Sequence, residues 1–188
     1  SPGALWLRAY EPASGEELWK SDGTAAGTVL VKDANPGPSY GFPGAPYAVR
    51  GGTRLVYQGT NGRADIELWR SDGTEAGTVM VKDIFPGPSG SGPSGFTELN
   101  GTLYFAAQSS TFMTGVQLWK SDGTSAGTSM VVNLYPGGNP GYLINVNGVL
   151  FFSATDGPAN SGYELWRSDG TAAGTVMIKD INPGTNSS

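Results

Sequence analysis

The sequence predicts an all-β fold: four repeated four-stranded antiparallel meanders, β-propeller-like, with the first repeat lacking its first strand. Three observations predict it. One polar and aromatic string occurs four times, each occurrence is flanked by short apolar runs bounded by turn residues, and no window holds helical periodicity for three turns.

The string Glu17-Leu18-Trp19-Lys20-Ser21-Asp22-Gly23-Thr24 returns at 67–74, 117–124 and 164–171, so that Trp19, Trp69, Trp119 and Trp166 stand 50, 50 and 47 residues apart. Each copy continues with Ala-Gly-Thr, an apolar run and Pro-Gly, the last at Pro36-Gly37, Pro86-Gly87, Pro136-Gly137 and Pro183-Gly184. The copies fill one repeat domain over 1–188, divided at approximately 1–37, 38–87, 88–137 and 138–184.

The third copy shows the elements in order. Phe96 to Leu99 reads as strand A, Asn100-Gly101 as a tight hairpin turn and Leu103 to Ala106 as strand B. A variable loop leads to strand C at Gln117 to Lys120, and the Ser-Asp-Gly-Thr loop to strand D at Ser129 to Leu134. Copies two and four begin with strand A at Tyr47 to Arg50 and Tyr142 to Val146. The first copy opens directly on Leu5-Trp6-Leu7, which matches strand B.

A unit of about fifty residues with four short strands is the size of a propeller blade. Leu150-Phe151-Phe152 and Val79-Met80-Val81 are apolar on both faces, as sheets packed between two neighbours require. Lys32, Lys82 and Lys179 on strand D suit an outer edge that must not pair with other chains. A repeat-built sandwich or a β-solenoid fits the same pattern less well.

Composition excludes several kinds of chemistry. With 30 Gly and 13 Pro among 188 residues the chain is rich in turns, and its 38% hydrophobic residues suffice for a core. A net charge of −5 gives no electrostatic footprint for nucleic acid. There is no His and no Cys, so the usual nucleophile pairs, His/Cys zinc sites, haem ligation and disulfides are out of reach. No cofactor or metal is expected. No apolar run reaches the ~18 residues of a membrane span, so no membrane insertion is expected. Ser1-Pro2-Gly3 carries neither an initiator Met nor a signal, which reads as a mature or excised segment.

The Glu-Leu-Trp-Lys-Ser-Asp-Gly-Thr string with its downstream Ala-Gly-Thr resembles the bacterial ELWxxDGT-repeat proteins over nearly the whole chain. That resemblance implies a tandem-repeat surface or secreted protein and no particular reaction. By position alone, the Ser-Asp-Gly-Thr loop is also similar to the Asp-box of sialidase-type propellers.

Asp22, Asp72, Asp122 and Asp169 precede Gly in a loop between strands, where an Asp side chain accepts backbone N–H bonds. They read as structural turn residues, with a calcium or catalytic role as the minor alternative. Glu17, Glu67 and Glu164 are answered by Gln117 in the third copy, and a hydrogen-bonding role survives that change where a catalytic or cation-binding role does not. The repeated Trp residues read as core more than as a sugar platform. Glycosidase chemistry needs only two carboxylates about 5 or about 6.5–9.5 Å apart, but ten of the sixteen acids occupy repeated positions. The chain is therefore expected not to be an enzyme, with a glycoside hydrolase as the weakest reading and Asp65 or Asp156 as its acids.

Function is expected where the copies differ. In such a meander the B–C loops (Glu11 to Glu16, Gly59 to Ile66, Gln108 to Val116, Thr155 to Tyr163) and the D–A connections emerge at one end of each sheet. The constant Asn-Gly and Ser-Asp-Gly-Thr turns emerge at the other. The candidate ligand-binding residues at the variable end are Tyr40, Phe42, Arg63, Asp65, Phe112, Tyr135, Asn139, Asp156, Asn160 and Tyr163, a mixture suited to a glycan or a protein surface. The expected protein is an extracellular or cell-surface binding module, lectin-like in character; the alternative is a structural, self-assembling repeat. The strand missing from the first sheet favours a homo-oligomer or assembly.

Overall fold

In the computed structural model the described residues are all but 1–3, 43, 45, 50–54, 63–64, 110–114, 135–136, 158–161, 182 and 184–188. Among them the chain forms strands and turns and no helix. The first sheet has three strands, β1 (Leu5–Glu11), β2 (Gly15–Ser21) and β3 (Val29–Lys32). The second holds β4 (Tyr47–Ala48), β5 (Leu55–Gly59), β6 (Glu67–Ser71) and β7 (Val79–Lys82). The third holds β8 (Ser94–Leu99), β9 (Thr102–Gln108), β10 (Val116–Ser121) and β11 (Ser129–Val132). The fourth holds β12 (Gly141–Val146), β13 (Val149–Ala154), β14 (Glu164–Ser168) and β15 (Val176–Lys179).

Each sheet is an antiparallel meander in chain order, and the first lacks strand A, as the opening at Leu5 predicts. The chain divides into two compact units, Ser1–Gly92 with the first two sheets and Pro93–Ser188 with the last two. Strand D of the third copy ends at Val132 rather than Leu134. The backbone turns away there to deliver the Leu134 N–H to Gln117 Oε1 at 2.7 Å. Of strand A in the second copy, Tyr47 and Ala48 are paired, and Arg50 lies outside the described residues.

A β-bulge recurs at one place in every sheet. Leu18 opposes Lys32 while Trp19 opposes Leu30, which leaves Val31 as the extra residue; Val81, Val131 and Ile178 are its counterparts. The extra residue brings Val31 to the same side as Leu18, and both enter the core of the first unit.

In that unit Leu18, Val31 and Ala34 of the first copy pack on Leu55, Tyr57 and Trp69 of the second, with Phe42 between them. In the second unit Leu118, Val131 and Leu134 pack on Leu150, Phe152, Ala154 and Trp166. Burying each large side chain contributes about 1.5–3 kcal/mol. Three of the four repeated Trp residues are core, as expected: Trp69, Trp119 and Trp166 are buried, while Trp19 on the first sheet is half-buried; Trp166 stacks on Phe152 with ring centroids 6.4 Å apart.

Lysines tie neighbouring sheets together. Lys20 Nζ donates to the Gly73 carbonyl at 2.7 Å and Lys120 Nζ to the Gly170 carbonyl at 3.1 Å. Lys32, read from the sequence as an edge guard, donates to the Thr78 carbonyl at 3.0 Å. Its four-carbon stem reaches the next sheet, so it links sheets within the unit.

Candidate functional site

At the constant end all four Ser-Asp-Gly-Thr loops carry one network. Asp22 Oδ1 accepts the Thr24 N–H at 2.9 Å and the Thr24 hydroxyl at 2.7 Å, and Asp72, Asp122 and Asp169 repeat the pair with Thr74, Thr124 and Thr171. The Gly23 N–H donates to Ser21 Oγ, which shares a hydrogen with Thr28 Oγ1 at 2.7 Å, and the Thr28 hydroxyl in turn donates to the Thr24 carbonyl. The Thr24 hydroxyl and N–H hold the Asp22 carboxyl below the usual carboxylate range, and Thr171 does the same for Asp169. The Gly of each Ala-Gly-Thr is required because a Cβ on Gly27, Gly77, Gly127 or Gly174 would overlap the Asp carboxylate. These aspartates are turn residues, and no group of three or more acids that could hold a metal ion occurs among the described residues.

The repeated glutamates are buried anchors for the connection that follows each sheet. Glu67 Oε2 accepts the Ile84 N–H at 3.1 Å and the Ser91 hydroxyl at 2.5 Å, while Oε1 accepts the N–H groups of Phe85 and Ser91 at 3.1 and 2.9 Å. Glu17 Oε1 accepts the Asn35 N–H at 3.1 Å, and Gln117 does the same task for Leu134. Burial pushes the Glu17 carboxyl up to about 7 against the bonds from Asn35 and Ala34, and it raises Glu67 against the bonds from Ser91, Ile84 and Phe85. The amide in the third copy was the sequence signal for this role.

The candidate residues of the variable end divide sharply. Tyr40 is exposed, its carbonyl accepting from Asn35 Nδ2 at 2.9 Å. Phe42, expected at the surface, is fully buried, 4.6 Å from the Tyr57 ring. This corrects the expectation: the Gly41 and Phe42 N–H groups both bond to the Glu16 carbonyl, which turns the ring inward between the two sheets. Asp65 is buried too. Asp156 is half-buried, and Asn139 and Tyr163 are exposed. Arg63, Phe112, Tyr135 and Asn160 lie outside the described residues.

Asn139 and Tyr163 meet in a cleft of about 650 Å³ on the fourth sheet, lined also by Gly141, Tyr142, Ser153, Glu164 and Leu165. Glu164 is buried, its Oε2 accepting the Ile181 N–H at 3.0 Å, and its Oε1 has no hydrogen-bond partner. Tyr142 is the residue that reading the sequence missed. Its φ is +54°, in the left-handed region that bulky side chains avoid, and its side chain is 91% exposed. Ser94 opposes Ala106 as Gly141 opposes Ser153, so the third sheet has Gly95 at the matching place, with φ +66°. Comparing Ser94-Gly95-Phe96 with Gly141-Tyr142-Leu143 would have found it.

Repeated four-stranded meanders that pack in pairs within each unit, with a cleft at the variable end of the fourth sheet, define a β-propeller-like repeat module. Compared with protein families and with curated proteins, the chain matches none. Among solved structures it is similar to one of two prolyl endopeptidases (TM-score 0.59, 11% identity), puromycin hydrolase (0.54, 18%) and Pyrococcus horikoshii acylaminoacyl peptidase (0.51, 15%). It is covered over 98, 94 and 95% of its length and spans 26, 31 and 25% of theirs. At such identities the likeness shows the propeller fold alone.

Proposed function

We propose that the chain is a non-catalytic, lectin-like binding module of a secreted or cell-surface protein, which takes a neutral glycan into the cleft of the fourth sheet. One observation carries the reading: Tyr142 occupies a backbone conformation where the matching residue is glycine, and it spends that strain on presenting a fully exposed ring at a cleft. Strained residues of this kind cluster at ligand sites. Tyr142 and Tyr163 offer flat apolar faces to the C–H side of a sugar ring, while the Asn139 amide and the Ser153 hydroxyl can accept from or donate to its hydroxyls. Among the described residues the lining holds a carboxylate and no cationic side chain, which disfavours acidic sugars. Among the same described residues it holds one acid, Glu164, where a glycosidase uses two.

Calorimetric titration with neutral oligosaccharides tests this. Binding is expected for the parent chain and weakened about tenfold or more, equivalent to about 1.4 kcal/mol, in Tyr163→Ala. Equal affinity in the variant, preference for sialylated or sulfated glycans, or turnover of the oligosaccharide would overturn it.

A further inference from the structure

Identical positions of the repeat are buried in one sheet and bare in another. Leu18, Val31 and Ala34 are 2, 5 and 9% exposed beneath the second sheet, and Leu118, Val131 and Leu134 are 0, 8 and 4% exposed beneath the fourth. Their counterparts on the fourth sheet, Leu165, Ile178 and Ile181, are 42, 46 and 57% exposed. On the first sheet the covering side of that contact is open at Leu5, with Leu7 and Trp19, the counterparts of Tyr57 and Trp69, half-buried. Leu55 and Leu150, which pair with Ser71 and Ser168, are 2 and 0% exposed, whereas Leu5, which pairs with Ser21, is 64% exposed.

We infer that the fourth sheet of one copy receives the first sheet of a second copy, head to tail, and so repeats between chains the contact that each unit makes within itself. The occupant follows from the repeat, because the two open faces are the complementary halves of a contact already present twice. The polar partners follow as well. Lys20 and Lys120 donate to the carbonyls of Gly73 and Gly170; Arg167, at the matching position, would donate to Gly23 of the second copy. Lys32 donates to the Thr78 carbonyl; Lys179 would donate to Thr28. Such a contact is heterologous, using two different patches. It does not rest on the glycan reading, although Leu165 belongs both to this face and to the cleft.

Sedimentation across the micromolar range tests it, with two variants that leave the cleft lining intact. The parent is expected to run as species of at least twice 19.4 kDa, Ile178→Asp and Leu5→Asp each to lose them, and Ile178→Val to keep them, since valine fills that place in the other three sheets. An equal mixture of the two Asp variants should recover a dimer, because each retains the face that the other has lost. Far-UV and Trp emission spectra verify folding, and Lys179→Glu replaces Ile178→Asp if the latter unfolds. A parent running at 19.4 kDa throughout, association that survives both Asp substitutions, or a mixture that stays monomeric would overturn the inference. Loss of glycan binding with association intact would bear on the proposed function alone.

Discussion

Tyr142 and the aspartates of the constant loops show how far single residues are tuned for different ends. Holding a bulky residue in the left-handed region costs about 1–2 kcal/mol, and glycine removes that cost at the same φ. Tyr142→Gly is therefore expected to raise stability by about 1 kcal/mol while weakening glycan binding; lower stability in chemical denaturation would show that the tyrosine serves the fold instead. In the turn loops the expectation is reversed. Gly77→Ala places a methyl group on the Asp72 carboxylate and is expected to destabilise by about 1–3 kcal/mol, the usual cost of overpacking. In an Asp72→Ala background most of that cost should vanish, a coupling that a double-mutant cycle measures. Additive losses would mean that the methyl group meets something other than the carboxylate.

At the scale of the element, each sheet is sealed at one end by the Asp-Thr network and pinned at the other by a buried Glu or Gln. The pins carry a pH dependence. Burial raises the folded Glu17 carboxyl from its ordinary 4.5 to about 7, so between those values the native state holds a proton that the unfolded chain has lost. Stability from this group is full below about pH 4.5 and falls as pH rises towards 7. The Asp22 and Asp169 carboxyls are depressed, and what they contribute is lost as pH falls through the acid range. Stability should thus peak on the acidic side of neutrality, near the unfolded Glu value. Glu17→Gln, the residue that the third copy already uses, is expected to stabilise above pH 7, by up to about 3 kcal/mol, and to change little near pH 4.5. Thermal melts of both proteins at several pH values check this, and equal melting shifts at pH 5 and 8 would contradict it.

At the scale of the whole molecule, tandem repetition makes every sheet both a cover and a thing to be covered. Each unit satisfies one such contact internally, through Leu118, Val131 and Leu134 on Leu150, Phe152 and Trp166 in the second. The faces of the first and fourth sheets are left open, and the head-to-tail association argued from them is the molecular-scale expectation. The cleft and these faces share Leu165, so occupancy of one is expected to alter the affinity of the other.

What the sequence determined by itself was everything held inside one copy: the period, the four meanders, the missing first strand, the Asp-Gly-Thr turns and, through Gln117, the hydrogen-bonding role of the repeated glutamates. Those features rest on bonds between residues close in the chain or paired across one hairpin, and local pattern reports them. Only the tertiary structure decided which residues of the variable loops are available. Tyr40 and Phe42 stand two apart in one connection, yet one is exposed and the other sealed between sheets, because the Glu16 carbonyl fixes how the chain crosses. Leu118 and Leu165 sit in nearly the same string, and burial separates them completely. Burial depends on what lies across space from a side chain, and a repeat gives each copy the same residues without giving each copy the same neighbour.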